Sequence, residues 1–213
     1  MGLPGIHSIC VDPNDCNHVV VAISCGGVWH THDGGQTWKL SAKGMRAEFM
    51  PKEREGDENI QDPHLMVQCK GDINRMWVQH HNGIFRSDDA GMTWTEIHEA
   101  GPSTFGFAVA VHPSKPDTAW FIPAKNDEWR IPIDGKLVVT RTDDAGATFR
   151  TCSQGLPQPA WDLVLRHSLD VDEDGNFMVM GSSTGGLFAS FDGGEQWRCV
   201  NAHLPPIHAV QFG

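Results

Sequence analysis

The stretch "SDDAGMTW", residues 87–94, sets two aspartates, an alanine and a glycine directly before a threonine and a tryptophan. It recurs as "THDGGQTW" at 31–38, "TDDAGATF" at 142–149 and "SFDGGEQW" at 190–197. The boxes begin about 50 residues apart, and a period of that size marks a repeated supersecondary unit. Around each box lie short runs rich in β-branched and aromatic residues, bounded by turn residues. Around the first box these are "HVVVAIS", "GVWHT" and "TWKLS"; around the third they are "FAVAVHP", "TAWFIP", "KLVVTR" and "TFRTC". Helical periodicity is nearly absent. Each unit therefore reads as a four-stranded antiparallel meander, strands A to D, with the box at the C–D turn.

The box has a structural explanation. Asp89 is placed to accept backbone N–H bonds inside a tight turn, and the Ser87 hydroxyl to close a second local bond. Gly91 supplies the positive φ such a turn needs. Trp94 is expected to tuck back under the hairpin and pack between sheets. The box is thus a folding device rather than a catalytic one.

These residues resemble the Asp-box, or bacterial neuraminidase, repeat. Asp33, Asp89, Asp144 and Asp192 match its aspartate. Gly35, Gly91, Gly146 and Gly194 match its glycine, and Trp38, Trp94, Phe149 and Trp197 its aromatic position. The resemblance covers essentially the whole chain. It implies an all-β fold, a β-propeller of the sialidase-like superfamily. That group holds sialidases, glucan hydrolases, sortilin-type receptors and photosystem assembly factors. The chain most resembles bacterial BNR-repeat proteins described as glycosyl hydrolases or exo-α-sialidases.

One propeller domain over 1–213 is expected, with blades near 6–42, 64–100, 107–153 and 164–201. Residues 204–213, "LPPIHAVQFG", match "LPGIHSICVD" at 3–12, so 207–212 reads as a further A strand with no B, C or D behind it. The expectation is the C-terminal part of a six- or seven-bladed propeller, completed by upstream blades or by a second chain.

Composition narrows the partners. The formal net charge of −11 argues against nucleic acid and anionic membrane surfaces. No apolar run approaches the ~18 residues of a membrane span, and no secretory signal is evident. Six cysteines without a close C-x-x-C pair read as reduced thiols. A cytoplasmic location follows as an expectation.

In such a meander the boxes share one face with the A–B turns, and the B–C and D–A loops gather on the other. The longer, less repetitive loops carry function. Two insertions, 42–64 and 123–135, are the candidates for shaping a pocket; 51–59, "PKEREGDEN", reads as solvated. His7, His167 and His208 occupy equivalent positions at the start of strand A, with His64 at or beside that position and Phe107 there in the third unit. Arg46, His64, His80, His81, Glu128, Arg130, Asp162, Arg166 and His167 are expected to converge at a channel mouth on the loop face. A polar, hydrogen-bonded mouth is the plainer reading of its imidazoles. No cofactor is otherwise expected, but His64, His80 and His167 form a candidate set for a divalent transition metal.

Three functional readings follow. The loop face binds a carbohydrate or peptide through Arg46, His80, His81, Trp129, Arg130, Trp161, Arg166 and His167, with Phe105 as a further aromatic surface. Alternatively it hydrolyses a glycoside with paired carboxylates, the candidates being Asp62, Glu128 and Asp162, with Asp127 beside them. The third reading is a protein scaffold or assembly factor. A retaining-sialidase mechanism is absent from this chain, because its nucleophile is a tyrosine and the chain has none. Upstream blades could hold one, so that exclusion concerns this chain alone.

Overall fold

The computed structural model describes residues 4–213. Four antiparallel sheets follow one another, each ordered as a simple meander. The first holds β1 (Gly5–Asp12), β2 (Asp15–Ser24), β3 (Gly27–Thr31) and β4 (Lys39–Leu40). The second holds β5 (Pro63–Cys69), β6 (Asp72–His80), β7 (Gly83–Ser87) and β8 (Thr95–Ile97). The third holds β9 (Gly106–Val111), β10 (Ala119–Pro123), β11 (Val139–Thr142) and β12 (Arg150–Cys152). The fourth holds β13 (Leu169–Val171), β14 (Met178–Gly181), β15 (Leu187–Ser190) and β16 (Trp197–Asn201). No helix among the described residues is long and apolar enough to cross a membrane.

β1 packs on β5, β5 on β9 and β9 on β13, so the first strand of every sheet is innermost and lines a shared axis. This is the blade arrangement of a propeller. The core lies between blades. Val20, Ala22 and Val28 of blade one meet Met66, Met76 and Phe85 of blade two. Trp77 and Ile84 meet Val109 and Phe121 of blade three. Trp120 and Ile122 meet Met178, Met180 and Phe188 of blade four. A blade covered on both sides needs apolar residues on both faces of its strands. Accordingly every residue of β9, GFAVAV, and of β10, AWFIP, is buried.

The end blades differ. On blade one, Ile9 is 65 % exposed and Val11 50 %; on blade four, Phe191 is 56 % and Val200 60 % exposed. The four blades thus form an arc with an apolar face open at each end. Residues 207–212 lie parallel to the start of β13, in the place of the next inner strand. They pair with it through a single bridge, His167 to Ala209, rather than a ladder. Val210 N donates to His167 O at 2.8 Å and Ser168 Oγ to Ile207 O at 3.2 Å.

The boxes form four nearly superposable turns. In the second, Ser87 Oγ donates to Asp89 Oδ1 at 2.8 Å and accepts from Gly91 N at 2.8 Å. Asp89 also accepts from Thr93 N (2.8 Å) and Thr93 Oγ1 (2.6 Å). Asp33 and Asp144 repeat the set with Thr37 and Thr148, and Asp192 accepts from Gln196 N. The box glycines sit at φ of 86–92°, and the residue before each is left-handed too, at the cost of strain where it is Ala90 or Ala145. The box aromatic reaches back to the preceding blade. Trp94 Nε1 donates to Ser41 O, Phe149 packs on the second blade's core, and Trp197 on the third's. Trp38 is the exception: among the described residues no blade precedes its own, and it stays 43 % exposed.

Candidate functional site

The 42–64 insertion, although solvated over 51–59, returns to the axis under tight control. Gln61 is fully buried. Its side-chain amide donates to Glu55 O and Asp57 O, and its backbone carbonyl accepts from Gly26 N and Gly27 N. This pins Asp62 at the head of β5, beside the β2–β3 turn, where Asp62 Oδ1 accepts from Cys25 N at 3.1 Å. Asp62 Oδ2 faces two imidazoles, His81 Nδ1 at 3.4 Å and His64 Nε2 at 3.9 Å. Burial alone would raise the Asp62 pKa, but the His81 hydrogen bond and the charges of His64, His80 and His81 hold it at about 2.

His64 is buried and oriented from behind. Its Nδ1 lies 2.7 Å from Gly106 O. A carbonyl only accepts, so Nδ1 carries the proton and Nε2 presents a lone pair toward Asp62. Its ring stacks on Phe107 at 4.6 Å with planes 12° apart, while His81 and Phe105 meet it edge-on. Burial pulls the His64 pKa down to about 4, so the ring is neutral at neutral pH.

Phe107 organises the cationic side of the site. The guanidinium carbons of Arg130 and Arg166 each lie 5.3 Å from its ring centroid. Arg130 is exposed and pairs with Asp127 within its own loop. Arg166 joins none of the ion pairs among the described residues, and its Nε is buried without a hydrogen-bond partner. Burial lowers its pKa, opposed by the charge of Asp62 and reinforced by that of Arg130. His7 lies within reach of the same charges: burial lowers its pKa first, then Arg166 and His167, against Asp62.

The structure therefore gathers Asp62, His64, His81, Arg130 and Arg166, with His7 and His167 nearby, at the loop-face end of the inner strands. It does not bring in four others of the expected set. His80 is fully buried, and its Nε2 accepts from Asp62 N at 2.9 Å, so Nδ1, 3.3 Å from Asn82 N, carries the ring proton and no lone pair is left for an ion. Arg46 is held by Glu96 through bonds of 2.8 and 3.1 Å and by Glu48 at 2.6 Å. Asp162 accepts from Ser182 Oγ at 2.8 Å and from Thr184, and lines a separate hollow of about 470 Å³ with Leu156, Pro157 and Phe188. Glu128 is exposed on the 123–135 insertion. Exposed Trp129 and Trp161 stand on the two segments that carry Arg130 and Arg166. A larger hollow of about 650 Å³, lined by His98, Pro102, Thr104 and Lys125 among others, holds none of the residues around Asp62.

The family model for the BNR/Asp-box repeat matches residues 29–40, the first box with its flanking strands. The first box is an Asp-box, and the other three repeat its hydrogen bonds. Among solved structures, an ancestral GH74 enzyme aligns with a TM-score of 0.66 at 17 % identity, over 91 % of this chain and 23 % of its own. The GH74 xyloglucanase from Xanthomonas campestris aligns with a TM-score of 0.61 at 18 % identity, over 91 % and 29 %. YCF48 from Cyanidioschyzon merolae aligns with a TM-score of 0.59 at 19 % identity, over 91 % and 55 %. At these identities the likeness is one of fold. The chain spans about a quarter of the length of the GH74 structures and about half of YCF48. No curated protein matches it.

The Asp-box face holds a second histidine cluster that the sequence reading missed. His18, His30 and His32 meet at the A–B and C–D turns, with Asp12 Oδ2 at 3.3 Å from His18 Nδ1. The signal was available: His30 on β3 and His32 just beyond its end are two residues apart, and His18 stands on the neighbouring β2. The cluster is closed on itself. His18 Nε2 hydrogen-bonds His30 Nδ1 at 3.2 Å, and the His18 and His32 rings stack at 4.2 Å with planes only 17° apart. In-plane lone pairs on stacked rings do not converge on one ion.

Proposed function

We propose that the loop face of this Asp-box propeller binds a carboxylate-bearing ligand, a sugar acid in the first instance, with Arg166 as its anchor. The observation that carries the reading is the guanidinium of Arg166, half-buried over Phe107 and free of any ion pair among the described residues. A planar fork in a desolvated setting is suited to a carboxylate. Arg130 adds a second cation, and the exposed indoles of Trp129 and Trp161 add the flat apolar surfaces on which sugar rings stack. The acidic chain as a whole repels such a ligand, so a local cationic mouth in it acts selectively.

Binding is favoured over hydrolysis. Glycoside hydrolysis with two carboxylates needs one held protonated. Asp62 is instead held ionised, Asp162 is occupied by two hydroxyls, and Glu128 stands in solvent. The C-terminal carboxylate of a peptide presents the same anion, so it is the second ligand to try. The open apolar faces of blades one and four support a further part of the reading, that additional propeller blades cover them. The isolated chain should then self-associate in sedimentation, and a monomer at every concentration would remove that part.

The ligand test is calorimetric titration with a uronic- or sialic-acid oligosaccharide, its neutral counterpart and a short peptide with a free or amidated C-terminus. The acid forms should bind, and Arg166→Met should remove that binding while the melting temperature is kept. Equal binding of neutral and acidic sugars, or binding untouched by Arg166→Met, overturns the proposal.

A further inference from the structure

We infer that Asp62, His64 and His81 form a binding site for a divalent transition metal, zinc by preference, with a coordination position open to the channel. This rests on geometry and stands apart from the ligand reading above. Three atoms of metal-ligand type, Asp62 Oδ2, His64 Nε2 and His81 Nδ1, lie within 4.8 Å of one another. Ligands about 2.1 Å from a tetrahedral ion stand about 3.4 Å apart. The separations from Asp62 Oδ2, 3.4 Å to His81 and 3.9 Å to His64, are close to that edge.

The second requirement is direction. The His64 and His81 ring planes are 80° apart, so their in-plane lone pairs are not parallel, unlike those of the stacked pair on the Asp-box face. The third is the surrounding shell. A metal-bound imidazole characteristically donates its other N–H to a carbonyl, which fixes tautomer and orientation. His64 does this to Gly106 O at 2.7 Å, and Asp62 Oδ1 is held by the Cys25 N–H.

With the proton on Nδ1, His64 Nε2 is an acceptor 3.9 Å from Asp62 Oδ2, and two electron-rich atoms lie close together. A cation between them turns that repulsion into ligation. Two imidazoles and one carboxylate with open positions match zinc and other late first-row divalent ions.

The test uses metal alone, so its outcome does not depend on any sugar or peptide. The full chain, stripped with a chelator, is titrated with Zn²⁺ by calorimetry, and with Co²⁺ to read coordination from visible absorption. One ion per chain is expected. Removing an outer-shell partner usually costs ten- to a hundredfold in affinity, so His81→Ala and Asp62→Asn should each cost at least about a hundredfold. Asp62→Asn conserves shape, which keeps the test valid if His81→Ala melts early. His32→Ala, on the opposite face, should leave the affinity unchanged. No saturable binding, binding indifferent to both loop-face variants, or binding lost in His32→Ala overturns the inference.

Discussion

The two faces of this propeller use the same residue types in opposite ways. On the Asp-box face every aspartate of the motif is answered from within its own turn, four times over, by hydroxyls and backbone N–H groups two to four residues away. Of its histidines, His18 Nε2 meets His30 Nδ1, although His30 Nε2 stays without a partner. On the loop face Asp62 accepts from a residue 37 positions away and His64 bonds to one 42 positions away. There Arg166 Nε is buried without a hydrogen-bond partner, and Arg166 joins no ion pair among the described residues. Satisfied polar groups hold a fold, and unsatisfied ones aimed at one space invite a ligand.

The sharpest way to break this contrast is at the box aromatics. Trp94 is buried against the preceding blade and Trp38 is not. Trp94→Ala should lower unfolding free energy by about 3–5 kcal/mol and Trp38→Ala by less than about 1 kcal/mol. Denaturant titration of both variants decides it, and equal losses would mean that the inter-blade seat is not what stabilises the box.

Acid tests both faces at once. Burial lowers the pKa of His30 to about 4, of His64 to about 4 and of His80 to about 3. Each lies below the unfolded value near 6.5, so as pH falls the unfolded chain takes up protons first. Stability should be full above about pH 6.5 and decline by a few kcal/mol toward pH 4. Asp62 adds a loss in the same direction lower down, since its folded pKa of about 2 lies below the unfolded value. A flat profile of denaturation midpoints between pH 7 and 4 would show that these rings are charged in the folded protein.

A smaller effect comes from the box carboxylate. Asp89→Ala removes three local hydrogen bonds at an exposed turn and should cost about 1 kcal/mol or somewhat more, with carboxylate and metal binding unchanged. A variant of normal stability that loses binding would put function on the wrong face. Smallest of all, Ala90→Gly should stabilise by about 0.5 kcal/mol, because φ of 58° strains a Cβ more than the glycine loses in chain entropy. A destabilised Ala90→Gly variant would show that the strain is absent.

The sequence alone determined the repeat, the four-stranded unit, the place of the box at a C–D turn and the role of its aspartate and glycine. The reason is range: the hydroxyl and aspartate of each box close their hydrogen bonds within eight residues, so that chemistry is written in consecutive letters. The apolar seat of Trp94 followed from the repeat as well. Trp38 carries the same letters in different surroundings, because burial depends on a neighbouring blade and not on the box.

Only the tertiary structure decided the site. His80 and His81 are adjacent, and strand alternation sends their side chains opposite ways. Which one reaches the channel depends on the pairing of Pro63 with His80 and on the path of an insertion with no repeat to predict it. Arg46 and Arg166 are indistinguishable as letters. One met Glu96 across 50 residues and was neutralised; the other met the face of Phe107 and was not. Long-range partners fix whether a charge is spent on the fold or left for a ligand, and sequence spacing does not encode those partners.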